Sequence, residues 1–383
     1  MLRHVRWFVR RQCHCLSILQ VLVWLMSFLM LKLTFIAFND LFTLKTGIMR
    51  NLFPQHLWYI PSILKAPPVR YPEDSLTQVV IDTADVCGDL GRYDALMMVH
   101  TANAHFEHRQ SYRDTYGNEA FTSPYRIKMV FFMGLPEDQT LSPRLVEENS
   151  LHGDTVQGNF VDTYQNLTYK AVMAFRWVSK NCKNVKLVLK MDDDVILDVH
   201  RFFEEFKLPP PYQQDTIFCH LWKNAEVERK GKWGISYDEY ASDWYPAYCS
   251  GFFVVIMPTL MDDVYQAAKT TPFLWLDDVY IYGVVRQELH YIQIINLDQV
   301  AFRERYYHSC NKDYGYRCKY WATVVGDSTP FVPTMLKLRA DRVRVLELNA
   351  TGTVPSRVYT PPNMIGDLGL QMSEVNLSST QAV

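Results

Sequence analysis

The chain has 383 residues, with 39 Lys+Arg against 41 Asp+Glu and 48% hydrophobic residues. The near-neutral balance offers no basic excess for recruiting nucleic acid. Length and apolar content suit one large domain or two ordinary ones with a sizeable core, plus appendages.

Taken in chain order, Arg3, Arg6, Arg10 and Arg11 precede an apolar stretch at 16–38, interrupted by Gln20 and Lys32. About 20 apolar residues span a bilayer, and the flanking arginines place the N-terminus in the cytosol. Lys32 can snorkel to an interface. The pattern predicts a cytosolic tail (1–15) and a transmembrane signal anchor (16–38). A cleaved signal peptide competes with it, although no small-residue cleavage site follows clearly. Cys13 and Cys15 are then cytosolic candidates for palmitoylation. Cys87, Cys182, Cys219, Cys249, Cys310 and Cys318 form an even set in an oxidising compartment, with connectivity left open. Cys310 and Cys318 are near enough to clip one loop, and no CxxC pair points to zinc. Sequons at Asn166, Asn349 and Asn376 fit a lumenal chain.

Pro54, Pro61, Pro67, Pro68 and Pro72 punctuate 39–91, which reads as a partly packed stem. Beyond it, 95–100 and 127–133 are buried-strand candidates, the second closed by Gly134. Tyr164, Leu167, Ala171, Phe175 and Val178 fall on one helix face. Residues 187–191 form a third strand, 217–219 a short one, and 251–257 another, stopped by Pro258. Asp277 or Asp278 is placed to cap a helix through Val285. Strands alternating with helices predict an α/β domain with a mostly parallel sheet over 92–330. Residues 331–383 read as a partly disordered extension. No internal repeat is visible.

The strand at 187–191 ends in Asp192, Asp193 and Asp194. Adjacent carboxylates raise one another's pKa unless a cation sits among them. Hard oxygen ligands suit Mg²⁺ or Mn²⁺, which in turn suit a diphosphate. In α/β sheets ligands bind beyond the carboxyl ends of strands, and the triplet occupies such an end. The bland alternative is a solvated turn with one aspartate capping a helix that starts near Val199. A two-metal phosphatase or nuclease would need further His or Asp ligands.

Five segments in order resemble the β-1,3-galactosyltransferase family, which includes β-1,3-N-acetylglucosaminyltransferases. RQSYRDTYG at 109–117 is similar to its R-x-x-I-R-x-T-W-G element. YQNLTYK at 164–170, with Phe175, Arg176, Trp177 and Cys182, resembles its D-x-Y-x-N-L-T-x-K helix. KMDDD at 190–194, YPAYCSG at 245–251 and LDDVY at 276–280 resemble its K-x-D-D-D, Y-P-x-Y-C-S-G and E-D-V-Y elements. The match covers about 93–290.

The resemblance implies a GT-A-type, Rossmann-like fold with helices on both sheet faces, a UDP-sugar donor, a divalent metal (Mn²⁺ or Mg²⁺) and anomeric inversion. It implies Asp194 as principal metal ligand. Asp192 and Asp193 would contact the ribose or hold metal-bound water, with Asp193 also a candidate ligand. Asp278 is the implied base, Asp277 the nearby alternative, and helix capping the competing role. Arg109, Arg113, Lys170, Asp162 and Gly251 fall to the nucleotide side. For the arginines the competing reading is surface pairing with Asp114 or Glu107; for Lys170 and Asp162 it is an exposed helix face. Trp177, Trp244 and Tyr248 are candidates for sugar stacking, with core packing the alternative for Trp177. Asn166 either carries a glycan or packs in its helix.

The chain departs from the family at several positions. Phe252 and Phe253 stand where a second glycine is usual and are expected to crowd a substrate. Tyr282 replaces a glycine, with Gly283 one residue later, and Tyr116 replaces a tryptophan. No histidine occupies 323–327, leaving Asp327 or His308 as substitute ligands. The expected function is transfer of galactose or N-acetylglucosamine from UDP to an acceptor glycan on glycoprotein or glycolipid in β-1,3 linkage, at the Golgi membrane, with homo- or hetero-oligomers open. The alternative is a catalytically weak relative acting as a lumenal binding or chaperone-like partner of an active transferase.

Overall fold

A computed structural model describes residues 71–72, 77–88, 92–207, 215–301, 319–325 and 331–334, with isolated positions besides. Most of the predicted anchor and stem, Asp327, His308, Cys310, Cys318, Asn349 and Asn376 lie outside the described residues. Among the described residues no helix is long and apolar enough to cross a membrane.

The strands are β1 (Val79–Ile81), β2 (Ala95–His100), β3 (Ile127–Leu135), β4 (Thr155–Val161), β5 (Val188–Asp192), β6 (Val195–Leu197), β7 (Thr216–Trp222), β8 (Tyr248–Ile256), β9 (Gln293–Asn296), β10 (Val300–Ala301) and β11 (Ala322–Val324). The main helices are α1 (Phe106–Thr115), α2 (Ser142–His152), α3 (Leu167–Asn181), α4 (Val199–Glu205) and α5 (Leu260–Thr270). A further helical run at 277–288 has a π-helical middle, Tyr280–Val285. Eight strands form one mixed sheet in the order β1-β4-β3-β2-β5-β8-β7-β9, and β10-β11-β6 form a small second sheet. In the large sheet β1 and β8 run against their neighbours, while the remaining strands share one direction. The mostly parallel reading therefore holds, with β8 as the inserted reverse strand.

Every residue of β2 is buried, as expected of a strand covered on both faces. Consecutive residues of β3 show what covers it, because neighbouring side chains point to opposite faces. Phe131 meets Tyr112 of α1 edge-on, whereas Phe132 meets Trp177 of α3. Helices thus pack both faces. α3 buries nearly its whole circumference rather than one stripe, because the sheet lies on one side and α5 on the other.

Three features differ from the sequence reading, and the cysteine pairing that it left open is now defined. Gly134 lies within β3, its N–H donating to Asp162 Oδ2 at 3.0 Å. Residues 77–88 belong to the sheet domain rather than the stem, since β1 pairs antiparallel with β4 and Cys87 is bonded to Cys182. A second disulfide joins Cys219 to Cys249. By chain entropy, loops of 95 and 30 residues make each bond worth on the order of 3–5 kcal/mol. Finally, the cap of α4 is Asp198, which accepts from Arg201 N, so the triplet is not a cap.

Candidate active site

The triplet's position follows from strand pairing. β2 and β5 run parallel with His100 opposite Asp192, so the segment after β2 and the turn after β5 leave the sheet side by side. Asp193 N donates to His100 O at 3.1 Å, joining them. Two tyrosines of α1 hold the turn from behind. Tyr112 Oη lies 2.7 Å from Asp192 O and 2.6 Å from Val195 O. Tyr116 Oη accepts from Leu197 N at 2.7 Å and donates to Leu197 O at 3.1 Å. A phenol at 116 is thus a positioning group where the family's tryptophan is expected.

The three carboxylates have different surroundings. Asp192 accepts from Lys190 Nζ at 2.7 Å. Asp193, 7% exposed, accepts from Thr101 Oγ1 at 2.5 Å and meets His105 Nδ1 at 2.9 Å and His108 Nδ1 at 3.7 Å. Burial alone would raise its pKa, but its contacts with His105, His108 and Thr101 prevail and hold it well below the ordinary carboxylate range. Asp194 Oδ1 is buried and has no hydrogen-bond partner among the described residues. Burial, then the charges of Asp192 and Asp193, push the Asp194 carboxyl up to about 7. An unsatisfied anionic oxygen in this setting fits a hard divalent cation. β11 runs antiparallel to β6 and brings Val325 N to within 2.8 Å of Asp194 O.

The second acidic group opens the helical run at 277–288. Asp277 and Asp278 are half-buried. Asp278 Oδ1 accepts from Val279 N at 2.7 Å, but the cap position is Leu276 and no side chain caps the run, so neither aspartate is the expected cap. Burial first, and Asp277 next, raise Asp278 to about 7; burial also raises Asp277, opposed by Lys190. The same lysine connects the two acidic groups. Buried Lys190 reaches across from β5 to bond Gly251 O on β8 at 2.5 Å as well as Asp192. Burial would lower the Lys190 ammonium, yet Asp192, Asp277 and Asp278 around it hold it above its ordinary value. Gly251 is required by close approach: a Cβ there would stand 3.1 Å from Asp278 Cβ and 3.6 Å from Lys190 Nζ.

The other predicted residues sit behind this centre. Arg109 is fully buried, paired with Glu148 at 2.8 Å and donating to Ala102 O at 2.7 Å and Asn103 O at 3.2 Å. Arg113 binds Glu148 and Asp154 at 2.8 and 2.7 Å. Neither pairs with Asp114 or Glu107 as the surface reading expects, and Arg109's contacts are with protein groups that shape the 101–103 segment. Lys170 is buried rather than on an exposed face; it bonds Thr101 O at 2.7 Å and Asp162 at 2.8 Å. Trp177 is core, its indole N–H donating to Asp82 at 2.6 Å. Trp244 is 54% exposed and Tyr248 half-buried. Asn166 Nδ2 donates to Val161 O at 2.8 Å, while Thr168 is buried on Leu274 O at 2.7 Å, both packing roles.

The family model described as galactosyltransferase matches residues 107–298, half of the chain. The chain belongs to the galactosyltransferase family. Mouse beta-1,3-galactosyltransferase 1 is 28% identical over 188 residues, 49% of this chain and 58% of that protein. Human beta-1,3-galactosyltransferase 5 is 29% identical over 189 residues, 49% of this chain and 60% of its own length. Zebrafish (Danio rerio) lactosylceramide 1,3-N-acetyl-beta-D-glucosaminyltransferase A is 30% identical over 213 residues, 53% of this chain and 56% of its own. The chain thus spans less than two thirds of each relative. The solved galactosyltransferase LgtC in complex with donor and acceptor sugar analogs aligns at a TM-score of only 0.33 and 9% identity, over 64% of this chain and 95% of that one; it adds nothing to the fold described above.

As a member of the galactosyltransferase family, the chain handles its departures by packing. Phe253 is fully buried against Phe202 of α4, and Phe252 is 8% exposed. Both are core residues, so the expected crowding by these rings is corrected: apolar side chains on a covered strand go to the core. Gly283 sits where a Cβ would come 3.1 Å from Pro246 Cγ and 3.2 Å from Tyr248 Cβ. A π turn holds one more residue than an α turn. Gly283 lies within the π segment, and Tyr282 is buried against Phe175. Sequence reasoning missed Thr101, Tyr112, His105 and His108. The last two carried a usable signal, an H-x-x-H spacing that puts both on one side of a helical turn.

Proposed function

We propose that this chain is an inverting glycosyltransferase that moves galactose or N-acetylglucosamine from a UDP-sugar to an acceptor glycan on glycoprotein or glycolipid, forming a β-1,3 linkage. It acts as a single-pass type II protein of the Golgi membrane, with the domain in the lumen. The arginine-flanked apolar stretch and the two disulfides support that placement. Family membership supports the reaction class, and the printed names of the relatives support the two donors.

The observation that carries the proposal is the Lys190 bridge, which joins the Asp192 turn to Gly251 directly beneath Asp278. It links the turn that carries Asp194 to the strand beside Asp278, which supports reading the two acidic groups as parts of one site. Asp194 would hold the divalent ion, Mn²⁺ or Mg²⁺, which would supply neutralisation of charge on the diphosphate leaving group. Asp278 accepts the proton of the acceptor hydroxyl; a value raised to about 7 keeps it basic enough to do so while still ionised in part at neutral pH. Asp277 keeps Asp278 high by its charge and is the alternative base. Lys190 fixes Asp192 and neutralises it, and Arg109 with Lys170 shapes the 101–103 backbone beside the turn.

A donor screen with the full purified chain, Mn²⁺ and an acceptor panel tests the reading, with mass spectrometry reporting sugar and linkage. Metal-dependent transfer from one UDP-hexose is expected. UDP binding without turnover on any donor would favour the non-catalytic partner role instead.

A further inference from the structure

His105 and His108 have no assigned task in sugar transfer, yet they converge on Asp193, a candidate ligand from sequence. Their candidate ligand atoms all lie within 4.8 Å of one another, the one such group of three among the described residues. His105 Nδ1 is 2.9 Å and His108 Nδ1 3.7 Å from separate oxygens of the Asp193 carboxylate, and the two rings stand 4.7 Å apart. Tetrahedral zinc, with bonds of about 2.0–2.1 Å, sets its ligand atoms roughly 3.4 Å apart, a spacing that the two measured distances bracket.

We propose that these three side chains form a transition-metal site suited to Zn²⁺, separate from the cation assigned to Asp194, which contributes no atom to the group. Two imidazoles and one carboxylate are a zinc donor set, whereas Mg²⁺ prefers oxygen alone. The carboxylate is oriented before any ion arrives. Thr101 Oγ1 donates to Asp193 Oδ2 and accepts from Arg109 Nη1 at 3.3 Å, while Lys170 holds Thr101 O. Such outer contacts are what fix a ligand in a metal site. The histidine side chains are 44% and 36% exposed, so an ion can enter from solvent and keep a fourth position for water. A metal takes imidazole only through an unprotonated nitrogen, so any proton between His105 Nδ1 and Asp193 leaves to solvent as the ion binds. The position at the start of α1 is mildly unfavourable for a cation, but the carboxylate in the group outweighs a fractional helix charge. The bound ion would tie the segment after β2 to the aspartate turn, bracing one wall of the site.

The test uses the full chain in detergent, stripped with chelator and titrated with Zn²⁺ alone and with Co²⁺ as a spectroscopic probe. One Zn²⁺ per chain is expected, with Co²⁺ giving the visible bands of a four-coordinate ion. His105→Ala and His108→Ala should each weaken binding roughly 100-fold and abolish those bands, and Thr101→Val should weaken it about 10-fold. Both histidines are partly exposed, so circular dichroism of the metal-free variants should match the parent. Absence of stoichiometric binding by the parent chain, or unchanged affinity in both histidine variants, would overturn the site.

Discussion

The turn at 192–194 and the pair at 277–278 are both runs of neighbouring carboxylates, and the fold treats them differently. In the turn, Asp192 takes Lys190, and Asp193 takes Thr101, His105 and His108, leaving Asp194 as the acid that burial and its neighbours raise. In the pair, no side chain among the described residues donates to Asp278, whose contact is the backbone of Val279, and the pair lies in the field of Lys190, with Lys170 also acting on Asp277. The divided partners of the turn support its proposed role as a cation site. The sparser contacts of the pair support its proposed role in moving a proton. Low-dielectric surroundings amplify both outcomes, because an unpartnered charge there is costly.

The comparison breaks most sharply at Asp278. Asp278→Asn should lower turnover by roughly 10²–10⁴-fold while UDP affinity, read by calorimetry, stays near that of the parent. Turnover close to the parent's would move the base to Asp277. At the turn, Asp194→Asn should reduce metal-activated turnover about 100-fold, near 3 kcal/mol of transition-state stabilisation. An unchanged Mn²⁺ activation curve would deny Asp194 its role. Gly251→Ala presses a Cβ against Asp278, which must give by a few tenths of an ångström, and should cost roughly 10-fold in turnover, with thermal unfolding the control for general damage.

The proton-sharing character of the pair is read in pH profiles. With Asp278 at about 7, activity should climb through neutral pH as the base ionises. Lys190→Met removes the nearby cation and should shift that limb upward by about one unit; a profile that stays in place would mean that Lys190 does not set the pair's charge. Stability has its own sign. Asp194 and Asp278, raised from 3.8, contribute fully below about pH 4 and lose that contribution as pH rises through about 7. Asp193 is depressed from 3.8, so its contribution is present above that value and lost as pH falls below it. The smallest effect is expected at Tyr116→Phe. Loss of its contacts with Leu197 should cost about 1–2 kcal/mol in urea unfolding, with turnover changed little.

Much of this was legible beforehand. β2 was readable to the residue because a strand buried on both faces is apolar throughout. The triplet at a strand end and the acid pair at a helix start were visible as local charge in unlikely places. β4 was not, since its Gln157 and Gly158 interrupt the apolar signal while neighbouring strands still bury it. Nor was β1, whose three residues become a strand only by pairing with β4. Arg109 reads as a phosphate ligand or a surface charge until Glu148, on a different helix, claims it.

By itself the sequence determined the family, the alternating α/β order and the two acidic centres, because these rest on residue type and spacing along one segment. Only the tertiary structure decided which carboxylate meets which partner: Asp192 with Lys190, Asp193 with two histidines from the start of α1, and Asp278 above Gly251. Those contacts join segments brought together by strand pairing and helix packing. Electrostatic character falls off within a few ångströms, so it depends on neighbours in space that spacing along the chain does not reveal.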